Sequence, residues 1–240
     1  MWLFKSTEKL IDSGLFGGFT DWHSHILPGV DDGINTLEES LEVLKRYEEI
    51  GVGKVWLTPH VMEDFPNTPE GLRETFDILR NAYSGNIELR LASENMLDSL
   101  FEERLERNEF LPIGDSGNHL LVETSYMNPP LGMDDMIEGV LALGYVPVLA
   151  HPERYRYMDE SDYRKWKERG VLFQTNFISL VGGYGESARK KCEWLLKEGM
   201  TDICGSDLHR LTFFDHCVDQ RPKKSSSLEQ LIKVAKNPGI

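Results

Sequence analysis

The chain has 240 residues, 40% of them hydrophobic and 28% charged, enough apolar material for one large α/β domain or two small ones. The formal charge of −14 excludes a basic face able to bind nucleic acid or an anionic membrane by counterion release. Cys192, Cys204 and Cys217 include no Cys-x-x-Cys pair, which excludes a disulfide framework and a thiolate zinc knuckle, so any metal must be held by nitrogen and oxygen.

Residues 1–18 read as an N-terminal extension packed on the outside, and 19–240 as a single domain. No basic segment followed by an apolar stretch opens the chain, and its apolar runs are only strand-length, as expected of a cytoplasmic protein without membrane insertion. The first strand is predicted at 19–23. The clearest helix is 36–50, where Thr36 and Glu39 form a capping box, Leu37, Leu41, Leu44 and Tyr47 recur at helical spacing, and Gly51 stands at the stop. A strand at 54–58 follows. Further strands are predicted at 87–92, 120–123, 146–150, 171–175 and 202–205, with helices at 98–107, 134–143, 161–169, 187–198 and 228–235. Seven strand-then-helix units imply a parallel sheet, and at this length they favour a closed or nearly closed TIM-like barrel above an open doubly wound sheet. No Gly-x-Gly-x-x-Gly follows any strand, so a nucleotide-binding open sheet has no support.

Polar residues gather at the C-terminal ends of these strands, where barrel enzymes build their sites. His23 and His25 end the first strand and His60 the second, Glu94 follows the third, Glu123 ends the fourth and His151 the fifth, and Asp207 and His209 follow the seventh. A spacing of two puts His23 with His25, and Asp207 with His209, on one face of the chain. Any one of these histidines is more often a hydrogen-bonded loop residue than a ligand. The set is different, because imidazole with carboxylate and no thiolate is the donor chemistry of a hydrolytic zinc, manganese or iron centre. His119 and His216 fall outside it.

The stretch from Asp21 through His23, His25, Asp31 and Asp32 to Gly33, then Thr58-Pro59-His60, Ala150-His151-Pro152-Glu153-Arg154-Tyr155 and Gly205-Ser206-Asp207-Leu208-His209, closely resembles the bacterial capsular-polysaccharide tyrosine phosphatases of the polymerase-and-histidinol-phosphatase (PHP) superfamily. The resemblance implies a distorted seven-stranded (β/α) barrel carrying three divalent metal ions, with Mn2+ ahead of Fe or Zn. It implies hydrolysis of protein phosphotyrosine, the partner being a bacterial tyrosine kinase of capsular or exopolysaccharide biosynthesis. Carried over residue by residue, it puts His23, His25, Glu94 and Asp207 on a first metal. Glu94 would bridge to a second held also by Glu123 and His151, and Asp32, His60 and His209 would hold a third. Asp31 is the neighbour most easily confused with Asp32. Arg154 would meet the phosphate from outside the metal set. Phe213 and Phe214 stand where the family often has a second arginine, a role for which Arg210 is the substitute. Three divalent ions would more than neutralise four carboxylates, letting an acidic protein bind a phosphate dianion.

Cys204 and Arg210 also satisfy the Cys-x5-Arg spacing of thiol-based tyrosine phosphatases, but Asp207 inside that loop would set a carboxylate beside the dianion, and Cys204 ends an apolar run. Other readings are a phosphatase of a small metabolite such as histidinol phosphate or a sugar phosphate, a regulatory module without turnover, and a metal-dependent amidohydrolase. The last usually needs a lysine at a strand end, and none is so placed.

Overall fold

The computed structural model of the chain describes residues 7–240. In chain order its elements are β1 (Phe19–Ser24), α1 (Leu37–Ile50), β2 (Val52–Leu57), β3 (His60–Val61), α2 (Pro69–Ala82), β4 (Glu88–Leu91), β5 (Glu94–Met96) and α3 (Phe101–Arg107). Then follow β6 (His119–Glu123), α4 (Met133–Ala142), β7 (Val146–Ala150), α5 (Glu160–Glu168), β8 (Leu172–Asn176), α6 (Gly185–Lys197), β9 (Ile203–Gly205), α7 (Leu211–Val218) and α8 (Ser225–Lys236). Local chemistry explains α1 well. The Thr36 hydroxyl accepts from the Glu39 N–H, the Glu39 carboxylate accepts from the Thr36 N–H, and Gly51 closes the helix at φ 97°. Two helices were not anticipated: α2, begun by Thr68 and Pro69, and α7, which contains His216.

The result is an α/β fold whose parallel sheet is curled. Strands β1-β2-β4 form one ladder and β3-β5-β6-β7-β8-β9 another, every pair parallel. Seven strands were expected and nine are found among the described residues, because the second and third are interrupted. Pro59, which has no N–H to donate, separates β2 from β3. Backbone bonds continue across the gap, with the Ala92 N–H donating to Leu57 and the Glu94 N–H to Pro59. The first and last strands also meet, since the Asp207 N–H donates to the His23 carbonyl and the His25 N–H to that of Leu208.

The sheet is covered on its faces, so most strand residues are buried whichever way they point. One core cluster unites Val43, Leu44, Val55, Leu57, Phe177 and Phe214, and another Leu120, Val122, Ile137, Leu149, Phe173 and Trp166. The stretch expected as an outer extension contributes Leu10, Leu15 and Phe16 to the first cluster, with residues 1–6 outside the described range. Among the described residues no helix is long and apolar enough to cross a membrane.

Candidate metal centre

Backbone packing brings β1 and β9 together at the site. Gly205 lies so close to β1 that a Cβ there would fall 2.6 Å from the backbone nitrogen of His23. Beside it the buried Asp21 carboxylate accepts from the Tyr47 hydroxyl at 2.7 Å and from the Ser206 hydroxyl and N–H at 2.6 and 2.8 Å, tying α1, β1 and β9 into one unit. His151 and Asp207 hold left-handed backbone at φ 32° and 53°, two of the three non-glycine residues so strained among those described. Strain of this kind, about 1–3 kcal/mol per residue, persists only where the surroundings over-determine it.

All nine residues expected as ligands converge here. Nε2 of His23 lies 3.1 Å from Nε2 of His25, and these atoms lie 3.2 and 3.3 Å from Oε2 of Glu94 and 3.7 and 3.4 Å from Oδ1 of Asp207. Donors spaced at about 3.3 Å are what a tetrahedron with metal–ligand bonds of about 2.0–2.1 Å requires. The other oxygen of Glu94 lies 2.9 Å from Nε2 of His151, which is 3.8 Å from Oε2 of Glu123. Oδ1 of Asp32 faces Nε2 of His60 at 3.5 Å and Nε2 of His209 at 3.3 Å. His60 also turns Nδ1 toward Glu123 and Glu94, at 2.8 and 3.0 Å, so it stands between two clusters.

The donor chemistry fits a cation. Nδ1 of His23 donates to the Gln174 side chain, Nδ1 of His25 to Asp31 and Nδ1 of His209 to the Asp207 carbonyl, which leaves each Nε2 lone pair turned into the cluster. Nδ1 of His60, Oε2 of Glu94 and Oε1 of Glu123 are buried without a hydrogen bond. Without a cation these groups neutralise one another. Burial pushes Glu94 up, yet the adjacent His23 and His60 hold its carboxyl well below the usual range. Asp32, hydrogen-bonded to His209, is held down to about 2.

The structure separates the two adjacent aspartates. Asp31 points inward, accepting from Nδ1 of His25 at 2.7 Å and from the His60 N–H at 3.0 Å, while Asp32 faces the opening. Several supporting residues were not singled out from sequence. Gln174 accepts from His23 and from the His151 N–H and donates to Asn176, whose amide donates to Oδ2 of Asp207. Their signal was a polar pair two apart in a buried strand. Arg154 does not stand apart from the ligands, because its guanidinium donates to Oδ2 of Asp207, sandwiched 4.2 Å from the Tyr126 ring and 4.1 Å from that of Tyr184. The Tyr184 hydroxyl donates to the same oxygen.

A cavity of about 460 Å³ opens above the cluster, lined by Asp32, His209, Arg154, Tyr126, Tyr184 and Phe213 among others. Arg210 reaches its wall, and its guanidinium makes no hydrogen bond or ion pair among the described residues. Phe214 packs into the core instead. Cys204 is buried in that core and burial pushes its thiol up, which leaves no exposed thiolate to act as a nucleophile.

A family model described as capsular polysaccharide synthesis, CpsB/CapC, matches residues 19–231. The chain is 27% identical over 197 residues to the tyrosine-protein phosphatase YwqE of Bacillus subtilis, covering 80% of this chain and 77% of that one. It is 30% identical over 213 residues to the tyrosine-protein phosphatase CpsB of Streptococcus pneumoniae, covering 80% and 83%. A solved structure from work on YwqE and CpsB, described as metal-dependent tyrosine phosphatases, superposes with a TM-score of 0.76 at 24% identity, covering 89% of this chain and 86% of that one.

Proposed function

The chain belongs to the capsular polysaccharide synthesis CpsB/CapC family, and from that premise we propose that it is a metal-dependent phosphotyrosine-protein phosphatase. The observation that carries this reading is the convergence of the His23, His25, Glu94 and Asp207 donor atoms beneath a cavity walled by Arg154 and two tyrosine rings. Three divalent ions, Mn2+ before Fe or Zn, are assigned to it. His23, His25, Glu94 and Asp207 would hold the first, Glu94, Glu123 and His151 the second, and Asp32, His60 and His209 the third. Bound there, the ions supply the positive charge and Lewis acidity that hydrolysis of a phosphate monoester needs.

The chain's own residues bind and orient the substrate. Arg154, fixed between Tyr126 and Tyr184, presents its fork to the phosphate from the cavity wall, with Arg210 as the second cation. The rings of Tyr126, Tyr184 and Phe213 give that wall an aromatic lining suited to a phenolic ester. The substrate would be a bacterial tyrosine kinase of capsular or exopolysaccharide biosynthesis, met in the cytoplasm. The bonds that run from Ala92 and Glu94 across the β2–β3 break, and those that join β1 to β9, support counting seven strands, two of them interrupted, in a distorted, nearly closed barrel.

The test is a metal-resolved assay on a phosphotyrosine peptide and an alkyl phosphate, with elemental analysis of the same preparation. More than one ion per chain and a clear preference for the peptide are expected. Absence of turnover with Mn2+ present would overturn the reading, and preference for the alkyl phosphate would point to a small metabolite.

A further inference from the structure

We propose that a cleft on the far side of Arg154 is a subsite for an acidic side chain next to the phosphotyrosine. This rests on the phosphatase reading and names what else of the substrate is recognised. The cleft has a volume of about 370 Å³, and Tyr126, Arg154 and Tyr184 line both it and the cavity over the metal cluster. A peptide whose phosphotyrosine occupies one cavity therefore carries its neighbouring residues toward the other, successive Cα atoms being about 3.8 Å apart.

The charges along this cleft are unevenly satisfied. Arg156 is exposed, its guanidinium pairs with no carboxylate among the described residues, and its N–H donates to the Tyr126 carbonyl at 2.8 Å, which holds it beside the aromatic wall. Lys191, also on the wall, donates to the carbonyls of Tyr155 and Met158 and has no carboxylate partner among those residues. The acidic side chains of the same wall are buried or paired. Glu153 is buried, its Oε1 accepting from the Asn176 N–H and the Ser179 hydroxyl while its Oε2 has no hydrogen bond, and Glu186 is held by Arg189 and Lys223. In a chain of net charge −14, this leaves a local excess of positive charge beside the site, complementary to Asp or Glu on the peptide.

The test uses the full chain loaded with Mn2+ and three phosphotyrosine peptides of equal length, flanked on both sides by Glu, by Gln or by Lys, with p-nitrophenyl phosphate as a substrate that has no flanks. Wild-type kcat/KM should rank Glu above Gln above Lys, Glu exceeding Gln by about 3- to 5-fold, the size of one exposed ion pair, and salt should shrink the difference. Arg156→Gln should erase the ranking through KM and leave p-nitrophenyl phosphate turnover unchanged. Arg156→Glu should invert the ranking. Equal wild-type rates, a wild-type preference for Lys, or a Glu preference that survives both substitutions would overturn the subsite while leaving the phosphatase intact. No turnover of any of the four substrates would overturn both.

Discussion

The guanidinium of Arg154 donates to one carboxylate oxygen of Asp207, Oδ2, while the other, Oδ1, faces His23 and His25. A single carboxylate thus divides its lone pairs between a cationic wall and the candidate metal, and Asn176 and Tyr184 help to hold the division. Arg154→Ala should lower kcat/KM by about 10- to 150-fold, the loss of one charge-assisted hydrogen bond. It should also raise the Mn2+ concentration needed for half-maximal activity, because Asp207 loses a partner that orients it. Arg154→Lys should recover part of the activity only. Activity titrated against Mn2+ in both variants checks this, and a wild-type kcat/KM in Arg154→Ala would remove the arginine from the phosphate.

Asp31 and Asp32 should fail in different ways. Asp31→Asn leaves His25 without its carboxylate partner and should weaken metal binding by about 10- to 100-fold, with activity restored at high metal. Asp32→Ala removes a donor from between His60 and His209, so excess metal should not restore it. Metal titrations that give the same rescue for both would refute the separate roles.

Gly205→Ala should be damaging although it adds one methyl group. The new Cβ would strike the backbone of His23, so β9 must move off β1 and take Asp207 with it. Overpacking of this kind costs about 1–3 kcal/mol, and turnover should fall together with the thermal midpoint. A variant that is both stable and active would show that the approach of β9 to β1 is slack.

Cys204→Ser should keep most of its activity, while a strong chelator should remove it. A folded, metal-loaded Cys204→Ser protein without turnover, from a wild type that resists chelators, would instead assign the chemistry to the thiol.

The metal-free protein should lose stability as pH rises. Burial disfavours the charged imidazoles, but Glu94 pushes His23 up to about 9, and Glu94 with Glu123 pushes His60 up to about 12, from an ordinary value of 6.5. Both groups bind protons more tightly folded than unfolded, so their stabilisation is complete below pH 6.5, and His23's share is lost as pH passes through about 9. Metal binding should therefore release protons, and the loaded protein should lack this decline. Thermal midpoints of both forms at pH 6 and pH 9.5 check the sign, and a metal-free midpoint that climbs over this range would contradict it.

The sequence by itself determined the alternation of strands and helices and the register of polar residues at strand ends, because apolar periodicity and a period of two are local properties. The α1 capping box and the ends of β7 were legible for the same reason. The sheet's interruptions were not, since they depend on the Leu57 and Pro59 carbonyls being met across the gap by the N–H groups of Ala92 and Glu94. Nor could spacing show that Asp31 turns inward and Asp32 outward, because adjacent carboxylates are told apart only by what faces them. Gln174 and Asn176, a polar pair two apart in a buried strand, and Tyr184 were not singled out from the sequence. They matter because the pairing of β8 with β9 and the approach of β9 to β1 bring Asn176 and Tyr184 onto Oδ2 of the buried Asp207 carboxylate.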